Sequence, residues 1–255
     1  MLKSSTDLFW DDRPNSCFDK RKVNIDDLVQ RKLECSFIEK FLSPHLDVLE
    51  VGCGNGFLSH WLADQVNHLD AFDYAPNMIK QAQELHNKTN ISYFENNIVS
   101  PLNLNKKYDL VVCVRVLINL QNFDDQKTAI NNLRSFLKKD GKLILIEGFS
   151  EGFSKLNKLR GDIHLPNFSP ASINYYSSVH DFEKCLENIF EIKDVFHAGM
   201  YDFLTRIVNP LLNGVDQTSQ PTAFHDKILP LCEKMNPDFL MDFSRLRGWC
   251  LKNKL

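Results

Sequence analysis

The chain has 255 residues, 43 % hydrophobic and 25 % charged, and 30 basic residues against 33 acidic ones leave a formal charge of −3. That composition supports a buried core and one α/β domain with an elaboration. It excludes the basic field that holds a protein to nucleic acid or an anionic membrane.

Apolar residues at helical spacing, with acids in the first turn, predict a helix over 25–42. A short buried strand over 46–52 then runs into LEVGCGNG (49–56), where Gly52, Gly54 and Gly56 use three of the chain's 10 glycines. A helix opens straight from that turn over 56–66. The rhythm repeats with a strand over 69–74 and a helix over 76–87 that has Pro76 in its first turn. A strand over 91–97, another beginning at 108, and a helix over 125–139 follow. Asp140–Gly141 stops that helix, and a fifth strand covers 142–149. This alternation implies βαβ units and a parallel sheet with helices on both faces.

After residue 149 the rhythm breaks. Residues 150–178 hold two prolines among Asn, Ser and aromatic residues, which predicts a lid inserted after the fifth strand. A helix over 179–190 and a strand over 191–198 come next, then a strand over 201–208 joined so tightly that it must run antiparallel. The tail to Leu255 is expected to be mostly helical, with turns near Pro221 and Pro237. Seven cysteines without a CxxC spacing argue against a disulfide framework. No apolar run reaches the ~18 residues of a membrane span, and the first residues lack the apolar core of a secretion signal. The expected compartment is the cytoplasm.

In a doubly wound sheet, ligands bind beyond the carboxyl ends of the strands. The glycine turn lies at that edge, where missing side chains let backbone approach a ligand closely. Asp73, at the end of the second strand, can accept bonds from both ribose hydroxyls of a nucleoside. A dinucleotide site wants G-x-G-x-x-G. Here the spacing is G-x-G-x-G, and Phe57 stands in place of the third glycine, which tilts the choice away from a nicotinamide cofactor. The eight histidines show no i,i+3 or i,i+4 pair and no cysteine joins them at ligand spacing, so no metal site is expected. No G-x-S-x-G elbow or P-loop is present, and Cys53 is expected to be small, buried and inert.

The ordered segments VLEVGCGNGFLS, DAFDYAPNMIKQAQ, FENNI, YDLVVCVRVLINL and LRSFLKKDGKLILIE, spanning about residues 46–148, resemble a class I S-adenosylmethionine-dependent methyltransferase. The resemblance implies a Rossmann-like α/β fold, with a seven-stranded, mostly parallel sheet whose last strand is antiparallel. It implies one methyltransferase domain: an N-terminal helical cap (1–45), a cofactor core (46–148), a lid and acceptor insertion (149–178), and last strands with a helical tail (179–255). The implied cofactor is S-adenosyl-L-methionine. Glu50, Gly52 and Gly54 would face its methionine part, Asp73 its ribose, and Tyr74 and Met78 its adenosine. Asn97, where the family commonly has Asp, and Ile98 would address the adenine. Arg31 would pair with the methionine carboxylate, or else form a surface ion pair with Glu34 one helical turn on.

Arg115 interrupts an apolar strand end at the site edge, where it would meet the cofactor or an anionic acceptor group. Asn119 follows one turn later, near where many relatives carry a histidine. Methyl transfer from a sulfonium is an in-line displacement, so alignment does most of the work, and an alcohol acceptor gains from a general base. His164 is the candidate base, because histidine as a residue type exchanges protons near neutral pH, beside Arg115 and Asn119. Asn157, Arg160 and Asn167 in the lid, with Tyr201 and Arg206 further on, would contact the acceptor. The segments RVLINL, LNKLR…H…N and YDFLTRIVNP resemble bacterial methyltransferases of surface-polysaccharide biosynthesis. That implies O-methylation of a small polar acceptor, a sugar linked to a nucleotide, in capsule or lipopolysaccharide biosynthesis. A quinone or other small metabolite is the alternative acceptor, and a methyltransferase-like binding subunit without catalysis is the alternative of another class. No nucleic-acid partner and no membrane span are expected, and the chain is expected to act as a monomer or homodimer.

Overall fold

A computed structural model describes residues 5–100, 104, 106–214 and 222–254. Seven strands form one sheet: β1 (Asp47–Val51), β2 (His68–Asp73), β3 (Ile91–Glu95), β4 (Tyr108–Val114), β5 (Leu137–Gly148), β6 (Phe190–His197) and β7 (Leu246–Asn253). Their order across the sheet is β3-β2-β1-β4-β5-β7-β6. β7 runs antiparallel to both neighbours, and the other six strands point one way. The chain therefore reverses its winding between β1 and β4, which opens a crevice at their carboxyl ends.

Apolar side chains leave both faces of the sheet. One layer packs Leu49, Val111, Leu145 and Trp249 against helices α5 (Phe123–Ser135) and α7 (Val179–Ile189). The other packs Val48, Val112 and Ile144 against α2 (Leu28–Glu39) and α3 (Phe57–Ala63). Asp27 caps α2 by accepting from the Val29 and Gln30 N–H groups. Pro76 opens α4 (Pro76–Leu85), where its missing N–H is not needed. No helix among the described residues is long and apolar enough to cross a membrane.

Three expectations change. Residues 201–208 are helical, not a strand: α8 (Gly199–Phe203) passes into a π-helical turn, Leu204–Val208, and then into α9 (Asn209–Asn213). The Thr205 hydroxyl donates back to the Tyr201 carbonyl at 2.7 Å, a helical i−4 bond. The antiparallel strand is instead β7, drawn from a tail expected to be mostly helical. The tail does supply α10 (Ala223–Lys234), and a 3₁₀ turn follows Pro237, whereas Pro221 lies outside the described residues. Finally, Asp140–Gly141 lies inside β5, where the pairing with β4 shifts register, and the preceding helix ends at Ser135. A Cβ at Gly141 would come within 2.8 Å of the Tyr108 carbonyl oxygen, so the crossing of the two strands needs the glycine.

The segment after β5 starts as α6 (Ser150–Asp162), which buries Phe153 and Leu156. Cover over the crevice comes from α1 (Ser5–Ser16) at the other end of the chain. Pro14 is its one buried residue, and polar bonds hold it down. The Tyr74 hydroxyl donates to Thr6 O at 3.3 Å, Asn77 Nδ2 to Asp11 O at 3.0 Å and Gln81 Nε2 to Pro14 O at 3.1 Å.

Candidate functional site

A cavity of about 360 Å³ opens beyond the ends of β1, β2 and β4. Its floor is the glycine turn. Gly52 and Gly54 hold φ of 69° and 54°, a region that costs a side-chain-bearing residue about 1–2 kcal/mol. A Cβ at Gly52 would sit 2.3 Å from Val116 Cγ2, and one at Gly54 2.3 Å from the Asn24 amide. The turn thus brings bare backbone up to the cavity.

Asp73 stands beside it. Its carboxylate accepts from Gly54 N at 2.9 Å and from Ala75 N at 3.0 Å, and burial raises its pKa. Glu50 accepts from the Ser59 hydroxyl at 2.5 Å, and burial pushes it up to about 7. Asn97 Oδ1 accepts from Val99 N at 3.1 Å, which leaves the NH₂ of this exposed residue on the cavity wall.

Arg31 and Glu34 do not form a surface pair. Their side chains are 8 % and 0 % exposed and approach to 3.2 Å, and Arg115 Nε lies 3.3 Å from the other Glu34 oxygen. Distances suit an Arg–Glu–Arg triad, but the angles do not: Arg31 Nε, Arg115 Nε and Glu34 Oε2 are all buried without a hydrogen-bond partner. Arg115 itself has φ 56°, unusual for a residue with a side chain, and is pinned by its N–H to Ile146 O at 2.7 Å.

The turn after β4 is held from below by Glu147. This 1 %-exposed carboxyl accepts from the N–H groups of Val116 (3.0 Å), Leu117 (2.8 Å) and Ile118 (3.2 Å). Burial nonetheless pushes it up to about 8. Asn119, on the same turn, donates to Arg115 O at 2.9 Å and accepts from Trp10 Nε1 at 2.8 Å. Helix α1 is thereby latched over the cavity mouth.

The chain shares this frame with solved structures. The N-methyltransferase NodS of Bradyrhizobium japonicum, in complex with S-adenosylhomocysteine, superposes over 99 % of this chain and 100 % of its own, with a TM-score of 0.61 at 15 % identity. The chain has the class I methyltransferase fold. A family model for nodulation protein S (NodS) matches residues 30–152. Malonyl-[acyl-carrier protein] O-methyltransferase of Acetivibrio thermocellus is 33 % identical over 134 residues, 51 % of this chain and 46 % of that protein. Nodulation protein S of Azorhizobium caulinodans is 32 % identical over 98 residues, 38 % of this chain and 47 % of that protein. The matches to these two curated relatives thus span about half of each relative's length.

Within the methyltransferase fold, Arg31, Glu50, Gly52, Gly54, Asp73, Tyr74, Met78, Asn97, Ile98, Arg115 and Asn119 all line the one cavity. The residues read as acceptor contacts lie elsewhere. His164 is exposed at φ 59° in the turn after α6 and does not line the cavity, so this geometry gives it no substrate to deprotonate. Asn157 clasps Phe168 through both backbone groups, at 2.9 and 3.1 Å. Arg160 is buried and donates to Pro166 O at 2.8 Å, and Asn167 is exposed. The Tyr201 hydroxyl donates to Asp27 at 2.7 Å, and Arg206 lies in the π-helical turn.

Trp10, Asn24 and Glu147 escaped the sequence reading. Glu147 left a signal, a lone acid ending an apolar strand, of the same kind as Arg115. Trp10 left none, since nothing local tells a cavity-lining tryptophan from a surface one.

Proposed function

We propose that the chain binds S-adenosylmethionine in this cavity and transfers its methyl group to a small polar acceptor, a sugar hydroxyl on a nucleotide-linked sugar. One observation carries the cofactor reading: the positive-φ glycine turn, Asp73, and Arg31 and Arg115, each with a buried Nε that lacks a hydrogen-bond partner, all line one cavity. Buried polar groups without partners are rare in native folds, and an amino-acid zwitterion supplies what these lack. Arg31, backed by Glu34, would hold the carboxylate end, Glu50 the ammonium end, and Asp73 the ribose hydroxyls. Met78 and Ile98 give apolar walls, and Asn97 the polar edge facing the base.

The bound sulfonium supplies an already activated methyl group. This chain's own residues then align and seal. Glu147 fixes the turn that carries Arg115 and Asn119, and the Trp10–Asn119 bond keeps α1 closed against water. Proximity of this kind is worth several kcal/mol, up to about 7–11 in well-oriented systems.

A second reading, transfer to nitrogen, is favoured by the lining itself, which contains no histidine among the described residues. A neutral amine brings its own lone pair and asks less of a base. Incubation with methyl-labelled S-adenosylmethionine and a panel of nucleotide sugars, with and without free amino groups, separates the readings. Label on a sugar oxygen supports the first, and label confined to amines replaces it with the second. Tight cofactor binding with no transfer to any of them would favour a binding subunit.

A further inference from the structure

Beyond the cavity, buried Arg160 and half-buried Arg206 and Arg245 come together, and among the described residues the acids that face Arg206 are Asp202 and Asp27. Arg160 is 1 % exposed, yet its partners are the carbonyl oxygens of Pro166 and Arg206. Arg206 has a buried Nε with no hydrogen-bond partner, and no ion pair reaches it among the described residues. Both guanidinium groups lie on the Phe168 ring, with Cζ 5.3 and 5.8 Å from its centroid. The third, Arg245, takes Asp202 for itself through contacts of 2.6 to 2.8 Å. Asp27 is the other acid facing Arg206, and it is occupied by the Tyr201 hydroxyl and by the N–H groups of Val29 and Gln30.

A cation drawn partly out of water without a partner destabilises a fold, and the desolvation of half-buried Arg206 pushes its guanidinium down to about 10. It does so inside a π-helical turn, a distortion that itself concentrates at functional sites. The cluster also communicates with the cavity. Arg245 Nη2 donates to Gln30 Oε1 at 3.2 Å, and Gln30 Nε2 donates to Glu34 Oε1 at 3.2 Å. Glu34 in turn meets Arg31 and Arg115 on the cavity wall.

We infer that Arg206, with Arg160 beside it and Phe168 beneath, is the subsite for a phosphate group carried by the methyl acceptor. This inference rests on the methyltransferase reading above and assigns the residues that would hold the acceptor's phosphate. Guanidinium groups suit phosphate because their planar forks donate two parallel bonds. His225 and Tyr201 also face this region, and both are neutral there: burial holds the His225 pKa down and the Tyr201 pKa up. The cluster therefore keeps its positive excess until an anion arrives.

The test uses the full chain saturated with S-adenosylhomocysteine and titrated calorimetrically with inorganic phosphate, as wild type, Arg206→Met and Arg206→Lys. Wild type is expected to bind phosphate, Arg206→Met to lose at least ten-fold in affinity, and Arg206→Lys to recover part of it. The melting temperature of Arg206→Met without phosphate should hold or rise, because a half-buried charge with an unpartnered Nε is gone. S-adenosylhomocysteine affinity should stay within two-fold in all three. A wild type that ignores phosphate, a Met variant that binds it equally well, or a Met variant that melts lower with Lys giving no recovery would each overturn the inference. If S-adenosylhomocysteine itself fails to bind, the methyltransferase reading falls separately, and the phosphate titration still reads the arginine cluster.

Discussion

Glu147→Gln isolates the clamp beneath the site. In the wild type, Oε1 accepts from Val116 and Leu117 and Oε2 from Ile118. Glutamine matches the shape but offers one oxygen. That oxygen can serve Val116 and Leu117, leaving an NH₂ group against the Ile118 N–H, donor facing donor. Stranding one buried donor costs about 1–3 kcal/mol. For a chain of this size each kcal/mol moves the midpoint by about 2–4 °C, so the melting temperature should fall by about 2–12 °C. Because the clamped turn carries Arg115 and Asn119, cofactor affinity should fall with it. Thermal melts above pH 8, where the Glu147 carboxyl is ionised and both oxygens accept, read both effects with and without S-adenosylhomocysteine. A variant as stable as wild type and binding as tightly would refute the clamp, since a stranded N–H at Ile118 cannot be free of cost.

Trp10→Phe keeps the ring on α1 and removes its bond to Asn119. A bond of about 0.5–1.5 kcal/mol is lost, so stopped-flow release of S-adenosylhomocysteine should quicken ~2- to 10-fold while the fold's stability barely moves, as α1 buries little. Stability should also depend on pH. Burial raises Glu50 to about 7 and Glu147 to about 8, from an ordinary 4.5, so the folded state holds protons that the unfolded chain has released. Their contribution is complete below pH 4.5 and is lost as pH rises through about 7 and then about 8. His197 and His225, whose pKa values burial lowers from 6.5, act in the opposite sense but are exhausted by neutrality. The melting temperature should therefore drop between about pH 7 and 8.5, and a rise over that window would contradict the assignment.

What the chain shows on its surface as text is what local physics decides. Three glycines in five residues, an acid ending a strand and a proline opening a helix each act within a few residues, and β1 to β5 follow from them. β7 was hidden because its pairing with β5 and β6 joins residues about 50 to 110 positions apart, and only that pairing makes LRGWCLKN a strand. YDFLTRIV misled because its apolar residues fit a strand and a helical face equally well over eight positions. In the site, Asp73 and Glu50 were legible from their place at strand ends. The burial of Arg31 with Glu34 was not, since i,i+3 spacing is the same on a surface and in a wall. Helix α1 was the least legible part. Its docking is polar and long-range, and no apolar stripe announces it.

The central claim is that this cavity binds S-adenosylmethionine through Asp73. Calorimetric titration of the wild type and Asp73→Ala with S-adenosylmethionine and S-adenosylhomocysteine tests it most directly. Micromolar binding by the wild type and a loss of ten-fold or more in the variant, ~1.4 kcal/mol, are expected. Absence of binding by the wild type, or equal binding by both, would contradict it.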